Sequence, residues 1–172
     1  MAKALPKQLR FLLADSVREE LGGKLTVIGL YTGGEVILQN AMPAEVPEGF
    51  QGIALPGLTI LAVFEDGQGE FEVQFQIYDP TNRPLGKSAP TTVVKAKNTT
   101  QNLIFPIMPF PVTGLGRYRF ELRLDNRKYG YSFTVRHADP NARLPSLQVP
   151  SKTKTKVSRS RQRGTKINTP NS

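Results

Sequence analysis

Apolar and polar residues alternate with a period of two in several stretches of this sequence, which is the pattern of half-buried β-strands. In the run at 71–78, Phe71, Val73, Phe75 and Ile77 alternate with polar neighbours. No stretch of comparable length shows a clear helical period. The pattern therefore predicts an all-β protein of short strands, either a sandwich or a barrel.

A second pair of alternating runs lies at 117–124 and 128–136. Their apolar positions are Tyr118, Phe120, Leu122 and Leu124 in the first run, and Tyr129, Tyr131, Phe133 and Val135 in the second. The short, polar segment at 125–127 separates them and is typical of a turn. We expect these two runs to form a β-hairpin with one solvated face.

Other strands follow from β-branched and apolar runs bounded by glycine. Residues 58–65 precede the turn sequence at 66–69, which predicts a second hairpin with the strand that starts near Glu70. Residues 24–31 and 35–38 are predicted strands joined by a turn at 32–34. Further strands are predicted at 91–96 and 102–108.

Proline limits the last of these strands, because Pro106, Pro109 and Pro111 have no backbone N–H to donate to a neighbouring strand. An edge strand or a loop is expected there. The segment at 13–21 leaves two alternatives. Leu13, Val17 and Leu21 have a helical spacing of four, whereas residues 9–14 also fit a first strand.

Charge divides the 172-residue chain, whose formal net charge is +9, into two parts. Residues 144–172 contain seven basic residues and no acidic one, so residues 1–143 carry 16 basic against 14 acidic residues. The seven are Lys152, Lys154, Lys156, Arg159, Arg161, Arg163 and Lys166. We expect a β-sandwich domain at 1–143 and a disordered tail at 144–172, since the tail has too few apolar residues to form a core.

Three interpretations of this tail are open: a solvated segment that aids solubility, a segment that binds nucleic acid or another polyanion, or a contact with a protein or membrane surface. Binding of duplex DNA by all seven charges would give a log–log salt slope of roughly −6. The chain contains no cysteine, which excludes disulfides and thiolate metal sites. Its apolar stretch at 11–14 is too short for a signal peptide, and no apolar run is long enough to span a membrane, so we expect a cytoplasmic protein.

The segment before and within the predicted strand at 24–31 carries a motif, Leu-x-Asp-x-x-Arg-x-Glu followed by Gly-Lys-Leu-x-x-Ile-Gly. Its members here are Leu13, Asp15, Arg18, Glu20, Gly23, Lys24, Leu25, Ile28 and Gly29. Together with the runs at 71–85 and 114–135, this motif resembles a family of uncharacterised bacterial proteins over nearly all of residues 8–136. The resemblance implies an antiparallel, immunoglobulin-like sandwich and brings no established activity.

Few residues of the sequence support a catalytic site or a metal site. His137 is the only histidine, and no nucleophile motif such as Gly-x-Ser-x-Gly accompanies it. Asp79 with Asn82, and Asp125 with Asn126, are better explained as turn residues than as cation ligands. We therefore expect no enzyme, no cofactor and no metal site.

Asp15, Arg18 and Glu20 place three charges in one short segment. An Asp15–Arg18 ion pair is one interpretation, and a recognition surface for a partner is the other. The leading hypothesis is a non-enzymatic binding or structural module that engages another protein, followed by polyanion association through the tail. A carbohydrate or small-ligand module using Tyr31 and Tyr78 is the third, although a cross-strand pair on a solvated sheet is the simpler explanation of Tyr78.

Overall fold

A computed structural model describes residues 3–39 and 53–139 of the chain, and these residues form twelve β-strands and no helix. The strands are β1 (Arg10–Glu19), β2 (Leu25–Leu30), β3 (Glu35–Leu38), β4 (Ile53–Leu55), β5 (Leu58–Phe64), β6 (Gly69–Tyr78), β7 (Pro84–Lys87), β8 (Thr91–Lys95), β9 (Gln101–Ile107), β10 (Phe110–Val112), β11 (Gly116–Leu124) and β12 (Arg127–His137). The prediction of an all-β protein is confirmed. The predicted tail at 144–172 lies outside the described residues.

The strands form two main sheets. The four-stranded sheet has the order β2-β1-β5-β9, and the six-stranded sheet has the order β3-β12-β11-β6-β7, with β8 also pairing with β6. Strands β4 and β10 form a separate two-stranded sheet. All pairs are antiparallel except β3 with β12, which is parallel.

The two main sheets bury one shared core, because each presents its alternate apolar side chains to the other. Phe120 of β11 lies 6.0 Å from Phe11 of β1 and 5.4 Å from Phe105 of β9, measured between ring centroids. Phe75 of β6 lies 5.1 Å from Phe105. These aromatic contacts cross from one sheet to the other and hold the two layers together.

The hairpin predicted from the runs at 117–124 and 128–136 is confirmed. Strands β11 and β12 pair over nine residues, from Gly116 with Val135 to Leu124 with Arg127. The turn needs only two residues, Asp125 and Asn126, and Asp125 has a positive φ of 51°. Its carboxylate accepts a hydrogen bond from the backbone N–H of Glu72, which ties the turn to β6.

The second hairpin, predicted between β5 and β6, is wrong. β5 pairs with β1 and β9 in the four-stranded sheet, whereas β6 pairs with β11, β7 and β8 in the six-stranded sheet. The turn at 66–69 therefore carries the chain between layers. Gly67 and Gly69 have φ values of 82° and 114°, and a Cβ at Gly67 would lie 2.9 Å from the carbonyl oxygen of Ala4. Glycine is needed there because the chain turns sharply beneath the N-terminal segment.

The sequence left helix and strand as alternatives for residues 13–21, and most of this segment belongs to strand β1. β1 pairs with β2 on one side and with β5 on the other, so its backbone groups bond between strands. Leu13 faces the core, while Leu12 and Ala14 lie on the opposite face of the sheet. The edge position expected from proline is also found, since β5 is the only described strand that pairs with β9, and Pro106 lies opposite Thr59.

Lys95, at the end of β8, is only 1% exposed. Its ammonium group donates to the carbonyl oxygens of Glu65 at 2.9 Å, Gly67 at 3.0 Å and Ala96 at 3.3 Å. It also lies 5.9 Å from the ring centroid of Phe64. One side chain thus satisfies the carbonyl groups of the turn that joins the two sheets.

Replacing Lys95 with methionine keeps the aliphatic stem but leaves those carbonyl groups without their donor. We expect Lys95→Met to lower the free energy of unfolding by about 1 to 3 kcal/mol. The exposed neighbour Lys97 supplies a matched control, and Lys97→Met should change stability by less than about 0.5 kcal/mol. Urea unfolding of the three proteins measures both values, and equal stability of the two variants would contradict the assigned role.

Candidate functional site

The three charged residues singled out in the sequence do not form one cluster. Asp15 and Arg18 both belong to β1. The expected Asp15–Arg18 ion pair is wrong, since none of the ion pairs among the described residues joins them. Glu20 follows the strand and accepts a hydrogen bond from the hydroxyl group of Thr26.

Asp15 instead contacts Tyr31, the residue that follows β2. The Tyr31 hydroxyl donates to Asp15 Oδ1 at 2.5 Å, and the Tyr31 backbone N–H donates to the carbonyl oxygen of Leu13 at 2.8 Å. Gly29 makes room for this contact, because a Cβ at that position would overlap the Asp15 carboxylate. Gly29 also has a φ of 66°, which other residues rarely adopt. The motif therefore has glycine at position 29 because the Asp15 side chain occupies the space that a Cβ would need.

The environment of the Tyr31 phenol raises its pKa from 10.0 to about 12. Burial contributes most, followed by the hydrogen bond to Asp15 and by repulsion between the Asp15 carboxylate and a phenolate. The neutral phenol is therefore the form that donates to Asp15, and it persists throughout the neutral range.

A cleft of about 500 Å³ opens beside this pair. Asp15 and Tyr31 form its polar part, and the remaining wall is apolar and comes from residues 55–57 and Met108. The second carboxylate oxygen of Asp15, Oδ2, makes no hydrogen bond within the described residues. No local sequence pattern indicated this wall, because its members are more than 20 positions from Asp15 and reach it only through folding.

The outer face of the four-stranded sheet is apolar. Leu12 of β1 and Ile28 and Leu30 of β2 are exposed by 39%, 45% and 47%, and Leu30 lies opposite Ala14, two residues from Leu12. We call these three residues the apolar row. Leu61 of β5 lies directly opposite Leu12 on the same face and is 2% exposed. The row thus continues inward into a buried apolar surface.

The free edge of β2 lies next to the apolar row. Backbone groups along an antiparallel strand point alternately toward each neighbour. The Glu20 N–H donates to the Lys24 carbonyl oxygen and Glu19 lies opposite Leu25, so Thr26 and Ile28 direct their N–H and C=O groups toward β1. Leu25 and Val27 therefore direct theirs toward the side where no described strand pairs with β2.

The outer face of the six-stranded sheet is polar and is covered by ion pairs between neighbouring strands. The pairs are Arg123–Glu72 at 3.1 Å, Lys128–Glu121 at 2.9 Å and Arg136–Glu35 at 2.9 Å. On the same sheet, the guanidinium group of Arg119 lies 4.2 Å from the ring centroid of Tyr78, its cross-strand partner. Tyr78 thus forms the cross-strand pair that the sequence offered as the simpler explanation.

The candidate cation ligand Asp79 has the turn role that the sequence favoured. It is 2% exposed, and Oδ1 accepts hydrogen bonds from Thr81 and from the Arg83 backbone, while Oδ2 accepts one from the Arg83 side chain. Burial opposes ionisation of Asp79, but these hydrogen bonds outweigh it and lower its pKa. Asn82 completes the turn with a φ of 63°.

Other predicted site residues are placed as follows. His137 is the last residue of β12. Within 3–39 and 53–139, no three His, Asp or Glu side chains are grouped so that they could hold a metal ion. The tail residues Lys152, Lys154, Lys156, Arg159, Arg161, Arg163 and Lys166 lie outside the described residues, so polyanion binding through them stays a prediction.

Comparison with known proteins assigns a family. Residues 9–136 match a family described as "Family of unknown function (DUF6941)", and the chain belongs to this family. No curated protein matches the sequence. Among the described residues there is also no helix with the length and apolar character needed to cross a membrane.

The Asp15–Tyr31 contact should make the stability of the protein depend on pH in the alkaline range. A folded-state pKa above the unfolded value of 10.0 means that unfolding releases a proton between the two values. The contribution of Tyr31 to stability is therefore complete below pH 10 and is lost as the pH rises toward 12. Absorbance titration of the phenols, wild type minus Tyr31→Phe, should give a midpoint near pH 12 for Tyr31.

Asp15→Asn serves as the partner variant for this titration. It removes the charge but keeps a hydrogen-bond acceptor, so the Tyr31 pKa should fall toward 10 without reaching it, because burial remains. A Tyr31 midpoint that is the same with and without the Asp15 charge would show that the carboxylate does not act on the phenol.

Proposed function

We propose that this protein is a non-enzymatic binding module that engages another protein by adding a strand of that protein to β2. The observation that carries the proposal is the combination of an edge of β2 with which no described strand pairs and the exposed apolar row, Leu12, Ile28 and Leu30. Added strands bind through main-chain hydrogen bonds and gain specificity from alternate side chains. β2 offers both.

The edges formed by β9, β3 and β7 are less suited to strand addition. Natural edge strands are commonly protected by proline, charge or short length. β9, at the opposite end of the four-stranded sheet, contains Pro106. In the six-stranded sheet, β3 has only four residues, and β7 contains Pro84 and Lys87. β2 contains neither proline nor a charged residue over its six positions.

A strand from a different protein fits this edge better than a second copy of the chain. Two copies meeting only along six residues of β2 would bury much less than the roughly 1,200 Å² of a small stable interface. A different protein could pair with β2 and also cover the apolar row with its own apolar side chains. Exposed apolar surface of this kind marks contact sites in folded proteins.

We further infer an immunoglobulin-like arrangement for the described strands. The order β1-β5-β9 corresponds to strands A, B and E of such a sandwich, and β6-β11-β12 corresponds to C, F and G. Tyr118, near the start of β11, donates through its hydroxyl to the carbonyl oxygen of Gly114 at 2.8 Å and accepts from the N–H of Thr113. This contact has the form of the tyrosine corner of immunoglobulin-like domains.

Site-specific photo-crosslinking tests strand addition. A photoreactive amino acid replaces Ile28 in one protein and Thr92, on the exposed outer face of β8, in another. After irradiation in lysate of the source cells, we expect position 28 to give one discrete adduct and position 92 to give none. Leu30→Lys, added to the first protein, should abolish the adduct by placing a charge in the apolar row.

The adducts are identified by mass spectrometry. A partner segment crosslinked only at position 28, and lost with Leu30→Lys, supports the proposal. Equal crosslinking at both positions, absence of an adduct at position 28, or an adduct that is a dimer of this 19.0 kDa chain would overturn it.

A further inference from the structure

We propose that the cleft beside Asp15 binds the side chain of a lysine or arginine residue from a protein partner. The aliphatic stem would lie against the apolar wall, and the cationic end would reach the Asp15 carboxylate. None of the described residues that line this cleft belongs to the apolar row. Strand addition at β2 and side-chain binding in the cleft can therefore be tested separately.

The charge in the cleft is not neutralised by the described part of the protein. Six ion pairs link the described residues, and none contains Asp15. Oδ1 accepts the Tyr31 hydroxyl, which fixes the carboxylate in place but brings no positive charge. Oδ2 accepts no hydrogen bond from the residues that the structure describes. A carboxylate held in this way attracts a cationic donor and repels an anion.

The neighbouring backbone also holds the Asp15 carboxylate in position. The space that a side chain at residue 29 would occupy is filled by Asp15 itself, and the positive φ of Gly29 suits glycine. Thr59 reinforces the same stretch by donating its hydroxyl to the Asp15 carbonyl oxygen at 3.4 Å. Asp15 is thus held in a defined orientation before any ligand arrives, which lowers the entropic cost of binding.

The wall of the cleft matches the stem of a long side chain. Leu55, Pro56 and Gly57 line one part, and Met108 is 63% exposed on the other. The Met108 side chain lies close to Gly57, where a Cβ would be 3.2 Å from its Cγ. A flexible thioether adapts to ligands of different shape. Lysine and arginine bury their methylene groups on such surfaces while the charged end reaches a polar partner.

The size of the cleft sets the class of ligand. Its volume of about 500 Å³ falls in the lower part of the range for small-molecule sites. One long side chain fits this volume together with the water that surrounds its charged end. The combination of one uncompensated carboxylate with an apolar wall selects a cation on an aliphatic stem over a neutral or acidic group.

Nuclear magnetic resonance with a methyl-labelled protein tests the inference. The chain has three methionines, so the ε-methyl signal of Met108 is easily assigned. The probes are Nα-acetyl-lysine methylamide and its neutral analogue Nα-acetyl-norleucine methylamide. We expect the lysine probe to shift the Met108 signal in a saturable way, with a dissociation constant of about 1 to 10 mM, and the norleucine probe to bind at least about tenfold more weakly.

Two variants assign the effect to the Asp15 charge. Asp15→Asn keeps the acceptor for Tyr31 and the shape of the cleft, and it should weaken binding of the lysine probe about tenfold or more. Glu70→Gln removes one negative charge from the six-stranded sheet, far from the cleft in the strand order, and should leave binding within about twofold. Unchanged amide signals outside the cleft show that each variant is folded.

Three results would contradict the inference about the cleft. Equal binding of the lysine and norleucine probes, equal weakening by Asp15→Asn and Glu70→Gln, or no Met108 shift with the lysine probe would overturn the inference. Because β2 pairing is not involved in any of these titrations, their failure leaves strand addition untouched, and failure of the crosslinking leaves the cleft untouched.

Discussion

The structure depends on one layer of aromatic side chains that lies between two sheets. Phe120 contacts Phe11 and Phe105 from the other sheet, and Phe75 also contacts Phe105. Each sheet has an apolar face that would otherwise be exposed to water, so the two faces are stable only against each other. Once this layer has formed, the remaining face of each sheet is directed outward, and the two outward faces differ in chemistry.

Because of this difference, the surfaces that suit binding to a partner lie on the four-stranded sheet. The outward face of the six-stranded sheet is covered by cross-strand ion pairs such as Arg136–Glu35, which suit a solvated surface. The four-stranded sheet instead exposes Leu12, Ile28 and Leu30 beside an edge of β2 with which no described strand pairs. β1 joins these features, because it carries Leu12 of the apolar row and Asp15 of the cleft.

Much of the fold could be predicted from local pattern. The period of two in β6, β11 and β12 identified the buried positions, and the short polar segment at 125–127 identified the hairpin. Proline identified β9 as an edge. Pattern alone did not show which strands are neighbours: the turn at 66–69 has the composition of a hairpin turn, yet it joins two layers, because both sides of β5 are paired within its own sheet.

The candidate site was less predictable than the fold. Asp15 and Tyr31 were each considered from the sequence, but for different functions, and their hydrogen bond arises from the pairing of β1 with β2. An ion pair with Arg18 was one interpretation of Asp15 because the two are close in sequence, but Asp15 bonds to Tyr31 instead. Met108 comes from a segment more than 90 positions away, so no local pattern could include it.

The open edge of β2 is the central claim, and amide hydrogen exchange of the isolated protein tests it most directly. The Thr26 and Ile28 N–H groups face β1 and should exchange slowly, whereas those of Leu25 and Val27 face the free edge and should exchange much faster. Alternation between fast and slow exchange along β2 is the result that we expect. Uniformly slow exchange from Thr26 to Ile28 would show that the edge is already covered and would contradict the account.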